Sequence, residues 1–418
     1  MIPAYAPSLP DWMRQVANET NPVIRKVAEM KSLGADFGAN GHGADDTGAF
    51  QQAIQYIMAT GNPVFVPPGT YITDPFQIAP QTLADQGFFY GLEAASTVIQ
   101  RKSSGAGAFI TIGSATGTQF QYNLIFRGLT INGGPNNGSF GDTVVLYDVV
   151  RSQFDSVIFT GGTAGLHSYG GIALDFNDCE FSFSQKGFIA EHFSSLAGGG
   201  YPNLIRLNNP RIVNNSLWGV WYDYGRMLMI TGGDVESNGT TLGSAQGGIY
   251  VGPNMGAEVS GTDPESLGAI LDGVWFENNM GIADVQLVSG LNMLSNCNFY
   301  SSATQSTSDI KIDGGRYSLI GLNSSFTKTA NVLEGAGVST GNIIAMSELF
   351  NLSYDQTKTS LFGSSGMNLG GNALWFPPAS ATPGINGQLT FELTNNTTLK
   401  VKVKGSDGTV RSNTLTLT

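Results

Sequence analysis

One short pattern recurs through the middle of this chain and limits what it can fold into. Leu129-Thr-Ile-Asn, Val157-Ile-Phe-Thr, Cys179-Glu-Phe-Ser, Pro210-Arg-Ile-Val, Gly233-Asp-Val-Glu, Val274-Trp-Phe-Glu, Cys297-Asn-Phe-Tyr and Ser324-Ser-Phe-Thr align so that the third residue is always apolar. Those residues are Ile131, Phe159, Phe181, Ile212, Val235, Phe276, Phe299 and Phe326. Most steps are roughly 22–31 residues, a period typical of stacked solenoid repeats. The longer step from Val235 to Phe276 carries a turn-rich insertion over 252–268. A second strand pattern follows about ten residues later in each repeat. It reads Gly165-Leu-His-Ser-Tyr, Gly187-Phe-Ile-Ala-Glu, Gly219-Val-Trp-Tyr-Asp, Gly248-Ile-Tyr-Val, Asp284-Val-Gln-Leu and Asp309-Ile-Lys-Ile. Short strands at a fixed period, with no helices between them, predict a parallel β-solenoid.

Composition agrees with many short strands and tight turns. Charged residues are 12% of the 418, and the 56 glycines are about twice the usual share of ~7%. The formal charge of −12 argues against a nucleic-acid partner and gives no steering towards anionic membranes. No apolar run reaches the ~18 residues that membrane insertion requires. The N-terminus lacks the basic and apolar regions of a signal peptide. Cys179 and Cys297 take the same inward position four repeats apart, roughly 19 Å at ~4.8 Å per coil, and are expected to be buried free thiols. No metal-ligand spacing, phosphate loop or nucleophile elbow is present, so neither metal nor cofactor is expected.

The ends of the chain carry the most specific motifs. Residues 8–32 read as a short helical lead-in. Gly34-Ala-Asp-Phe-Gly-Ala-Asn-Gly-His-Gly-Ala-Asp-Asp-Thr47 then leads into Phe50, Ile54, Ile57 and Met58, which lie on one helical face. Asp46 or Thr47 is a suitable N-cap. Pro63-Val-Phe-Val-Pro-Pro-Gly-Thr-Tyr-Ile72 reads as strand, turn and strand. This stretch resembles the N-terminal cap of the pectate-lyase-like right-handed parallel β-helix family, and on that resemblance Asp45, Asp46 and His42 are structural. Near the other end, Gln388–Leu393, Leu399–Lys404 and Asn413–Thr418 alternate as strands. The ending Asn-Gly-Gln-Leu-Thr-Phe-Glu … Lys-Gly-Ser-Asp-Gly-Thr-Val-Arg-Ser resembles the C-terminal module of bacteriophage tail fibres and tailspikes.

Taken together, the resemblance implies an all-β chain: a right-handed parallel β-helix with a small N-terminal helical cap and a C-terminal β-strand module. The expected divisions are a lead-in over 1–33, a cap over 34–75, the β-helix over 76–355, and a β module over 356–418 serving trimerisation or glycan contact. The implied protein is a phage tailspike depolymerase, a homotrimer on the virion tail that contacts other phage tail proteins and cleaves bacterial surface polysaccharide.

The chemistry must lie on the outward columns. If the third residue of each repeat points inward, its two neighbours point outward. Those before it include Glu180, Arg211, Asp234, Trp275 and Asn298; those after it include Val213, Glu236, Glu277 and Tyr300. Asp234, Glu236 and Glu277 are the preferred catalytic candidates, because glycosidases use paired carboxyl groups and crowding pushes one of them towards the protonated acid. Trp275 and Tyr300 suit sugar stacking, and Arg211 could bind an acidic sugar. Stacked acids and Glu-x-Asn corners can equally be structural, and Asn238 and Asn279 are expected to form an asparagine ladder. The second strand offers a rival patch: Glu191 and Asp223 as stacked acids beside the exposed aromatics Trp221 and Tyr250. The two patches could also be opposite walls of one groove. His167 and His192 read as surface or satisfied residues.

Hydrolysis by paired carboxylates is the expected reaction. The enzymatic rival is β-elimination at a uronic acid, drawing on Arg211, Tyr222, Lys311 or His192. The non-enzymatic rival is an adhesin that grips glycan without cutting it.

Overall fold

A computed structural model describes residues 30–78, 87–90, 96–116, 120–122, 124–193, 196, 200–252, 267–288, 291–302, 304–313, 319–322, 332–334, 343–344, 389–395 and 398–416. The chain divides into two compact units, Met1–Asp355 and Gln356–Thr418.

The first unit is a stack of coils. Each well-formed coil has three short strands, as in Asn203–Asn208, Arg211–Val213 and Trp218–Tyr222, followed by Leu228–Thr231, Asp234–Glu236 and Gly247–Val251. The first two strands of every coil join a 21-stranded sheet, and the third joins a ten-stranded sheet; all their pairings are parallel. The sequence repeat predicts two strands per coil. The additional one, exemplified by Ile172–Asn177, lies just before the recurring motif and is separated from it by a single bend. In the coil below, Val149–Thr160 runs through that bend unbroken, pairing Ser152 with Leu174 and Phe159 with Phe181.

The bends have a local cause. Ser156, Asp178, Asn209 and Asn296 adopt positive φ of 50–54° at the first corner. Phe183, Asn214, Ser237 and Asn278 do the same at the second, with φ of 54–58°. Single residues in the left-handed region reverse the side-chain alternation, and short polar residues tolerate it best. Each corner therefore turns the chain while keeping the apolar residues of both strands inside.

The predicted register holds coil by coil. Ile131 pairs with Phe159, Phe159 with Phe181, Phe181 with Ile212, Ile212 with Val235, Val235 with Phe276, and Phe276 with Phe299. All seven are buried. Phe326, residues 253–266 of the insertion over 252–268, and the lead-in up to residue 29 lie outside the described residues. In-register stacking places like rings over one another, as in Phe159–Phe181 at 5.3 Å and Phe276–Phe299 at 4.7 Å. Each fully buried Phe contributes roughly 1.5–3 kcal/mol of transfer free energy. Cys179 and Cys297 are buried free thiols, as expected.

At the second corner the core turns polar. Asn215 Nδ2 donates to Asn238 Oδ1 and Asn238 Nδ2 to Asn279 Oδ1, each at 2.9 Å. Each amide also donates to a backbone carbonyl: Phe181, Ile212 and Val235 respectively. The expected ladder of Asn238 and Asn279 is present, one rung longer. It needs glycine beside it: a Cβ at Gly187 would come within 2.7 Å of Asn215 Nδ2. Above the glycines, the same inward column holds Asp284, which accepts from Asn279 Nδ2 at 2.9 Å and Ser301 Oγ at 2.6 Å.

The cap is a helix, α1, over Thr47–Thr60, burying Ala49, Phe50, Ala53, Ile54 and Ile57. Phe50 packs against Tyr71, Phe76 and Phe89. Asp46 sits at the N-cap position without capping through its side chain. Its carboxylate accepts from the backbone N–H of Asn40 at 2.7 Å and Gly41 at 3.3 Å, bracing the loop that leads into the helix. Thr47 N–H is met by Asp45 Oδ1 instead. In the second unit, Leu389–Asn395, Thr398–Lys404 and Val410–Thr416 form an antiparallel three-stranded sheet.

Candidate functional site

The first face is built by the outward residues of the recurring motif. Glu180 pairs with Arg211, Arg211 with Asp234, and Asp234 with Trp275, so these four form one column. Val213, Glu236 and Glu277 form the next column, and Tyr300 continues it through its N–H to Phe276 O. The lower end of this second column is closed: Ser182 and Val213 are buried. The open part gathers Glu180, Asp234, Glu236 and Glu277, with Arg211 between Glu180 and Asp234. The exposed rings of Trp275 and Tyr300 stack beside them at 5.8 Å.

Asp234 is the acid whose environment is least forgiving. Burial pushes its carboxyl above the ordinary value, and Glu236 pushes it further; Arg211 opposes, while Glu277 and Glu180 add to the rise. Its Oδ1 is buried with no hydrogen-bond partner among the described residues. Glu277 is held differently, since Trp275 Nε1 donates to its Oε2 at 3.0 Å. Arg211 is exposed and engaged by Glu180: its Nη1 donates to Glu180 Oε2 at 2.9 Å. Glu180 belonged to the outward column in the sequence but had not been singled out; its place directly below Arg211 was the available signal.

The second face lies on the ten-stranded sheet. His167, Ile189, Trp221, Tyr250, Gln286 and Lys311 are in register, as the repeat implied. His167 and Ile189 are nevertheless buried. His167 bridges two carboxylates, Nδ1 to Asp142 Oδ2 at 2.8 Å and Nε2 to Glu191 Oε1 at 3.0 Å. Burial pulls the imidazole down, but those two bonds outweigh it and hold it above its ordinary value. Burial pushes Glu191 up, but His167 and then Lys186 hold it below the usual range. Asp223 N–H donates to Ala190 O at 2.9 Å, which sets Asp223 beside Glu191.

Trp221 and Tyr250 are half-buried. They stack on each other at 3.9 Å, and Lys186 Nζ covers Trp221 at 3.7 Å. Asp142 and Lys186 escaped the sequence reading. Asp142 precedes its strand, Val144–Tyr147, and Lys186 opens Lys186–Glu191, so neither falls in the repeating outward position. Among the groups considered for elimination chemistry, Tyr222 is buried and its hydroxyl accepts from Met227 N–H at 2.9 Å. His192 stacks on Tyr201 at 4.1 Å, and Lys311 pairs with Asp313.

The two faces do not oppose each other as walls of a groove within the coil. Phe181 from one strand and Phe188 from the other meet in the same core at 5.4 Å. Sheets that share an interior turn their outward columns away from each other around the corner between them.

Stacked parallel strands around one apolar interior, closed by a helical cap, define a right-handed parallel β-helix. Among solved structures, the chain is similar to the gp42 tailspike of Acinetobacter phage vb_AbaP_AS12, with a TM-score of 0.56 at 10% identity over 93% of this chain and 78% of that one. It is also similar to the Dettilon tailspike protein gp208, with a TM-score of 0.52 at 14% identity, covering 91% and 80%. At these identities the likeness is one of fold. No protein-family model and no curated protein sequence matches the chain.

Proposed function

We propose that this chain acts as a phage tailspike depolymerase that binds bacterial surface polysaccharide, capsular or O-antigen, and hydrolyses it within the chain. The observation that carries the reading is Asp234: a carboxyl group pushed up by burial and by Glu236, beside a rail of exposed aromatic rings. A carboxyl kept protonated can donate to the glycosidic oxygen as the bond breaks. Glu236 or Glu277 serves as the second group, either activating water or attacking the anomeric carbon. Trp275 and Tyr300 hold the sugar rings. Two tailspikes share the fold. The tail location, the homotrimer and the contacts with other phage tail proteins are part of the same proposal.

Hydrolysis is favoured over β-elimination because the cation needed to neutralise a uronate is already engaged by Glu180. The crowding of carboxylates around Asp234 also favours neutral or amine-bearing sugars over acidic ones at this site. The test is the length of purified capsular or O-antigen polymer after incubation with the protein, read by size-exclusion chromatography with reducing-end release. New reducing ends that are lost in Asp234→Asn support the reading. Product absorbing near ~235 nm would establish elimination, and polymer bound but left at full length would establish an adhesin.

A further inference from the structure

Among the described residues, Arg211 is the one cation set beside the carboxylates of the first face, and it is not shared evenly between its neighbours. Glu180, Arg211 and Asp234 take the same outward position on three successive coils, about 4.8 Å apart at the backbone. The guanidinium has an acid below it and an acid above it. It donates through Nη1 to Glu180 Oε2 at 2.9 Å, while its Nε lies 3.8 Å from Asp234 Oδ2, beyond hydrogen-bonding range.

We propose that Glu180 is a positioning residue: it anchors the Arg211 guanidinium one coil below Asp234 and so keeps it from hydrogen-bonding to that acid, leaving only a loose ion pair at 3.8 Å. The inference rests on the reading of Asp234 as the proton donor. An arginine forked onto a carboxylate makes two strong charge-assisted bonds and fixes the carboxylate in its ionised form. A donor held that way would carry no proton to give. The other groups facing Asp234 are Glu236 on its own strand and Trp275 and Glu277 on the coil above, and none supplies a positive charge. Where Arg211 points therefore decides whether Asp234 keeps its proton. Arg211 is exposed, so it is free to swing once its anchor is removed.

The prediction separates this role from the simple loss of a negative charge. In protein labelled with 13C at aspartate carboxyl groups, the Asp234 signal is identified by its disappearance in Asp234→Asn, and its titration midpoint is followed. Glu180→Gln is expected to lower that midpoint by about one pH unit, because Arg211 then forks onto Asp234. In an Arg211→Met background the same Glu180→Gln change is expected to lower it by much less. Equal shifts in the two backgrounds, or no shift in either, would overturn the proposal. In cleavage assays the basic limb of the pH–rate profile should move down by a similar amount in Glu180→Gln alone. Should Asp234→Asn cleave polymer as well as the unaltered protein, the catalytic reading fails, while the titration still decides the positioning role.

Discussion

On the ten-stranded sheet, charge is settled inside the protein: His167 lies between Asp142 and Glu191, and Lys186 lies over Trp221, which in turn lies on Tyr250. On the strands around Asp234, one guanidinium lies between Glu180 and Asp234, Glu236 and Glu277 lie alongside, and two aromatic rings face solvent. Both faces show the residue types that a glycan-cleaving site needs, and both sit on the same rigid scaffold. They differ in what is left over. A network whose members answer one another has little to offer a ligand, whereas Asp234 keeps a buried oxygen without a hydrogen-bond partner among the described residues, beside exposed rings. Composition alone does not separate a site from a brace; partner accounting does.

The largest expected effect tests this contrast directly. Asp234→Asn should cut polymer cleavage by about a hundredfold or more, and Glu236→Gln or Glu277→Gln should do likewise for whichever acid is the second group. Glu191→Gln and Asp223→Asn should leave turnover near normal. Size-exclusion profiles of digested polymer decide it, and the reverse result would exchange the roles of the two faces.

A smaller effect is expected from His167→Ala, and on stability instead of turnover. Removing the bridge leaves two carboxylates without their common partner, a loss of about 1–3 kcal/mol visible as a lower Tm. The pH dependence has a definite sign. His167 is held above its ordinary value, so its contribution is complete below about pH 6.5 and fades as pH rises through the raised value. The difference in Tm between His167→Ala and the unaltered protein should therefore shrink at alkaline pH; a constant difference would count against the bridge.

The raised Asp234 carboxyl predicts a different pH effect. Cleavage should fall as pH rises through the raised value of that carboxyl, and the fall should be absent from polymer binding. The smallest effect belongs to the rings. Trp275→Ala should weaken polymer affinity roughly three- to tenfold, measured by calorimetry, while Trp221→Ala should not. Equal losses would mean that the stacked pair on the second face also takes sugar.

How much of this was legible before the fold was known depended on repetition. The inward series from Ile131 to Phe299 was readable because one core imposes one residue type at each coil. The same series placed Asp234, Glu236, Trp275 and Glu277 side by side, although some forty residues separate the two segments. The strand before each bend went unseen, because a lone left-handed residue leaves no strong mark when Ser, Asp or Asn fills it. Asp142 and Lys186 were hidden for a related reason: they act from strand ends, where the repeat fixes nothing. The repeat places Glu180 directly below Arg211 and Asp234 directly above it, but register does not say which of two neighbours a flexible side chain prefers.

The asparagine ladder has one more consequence. Its amides tie each turn to the next from within, and the glycines beside it leave no slack at that edge. A scaffold braced in this way cannot flex shut around what it holds. On the proposed function it would work as a jig: a bound polymer would lie along steps whose height is preset by the backbone, and discrimination between glycans would fall to whether successive sugars match that pitch.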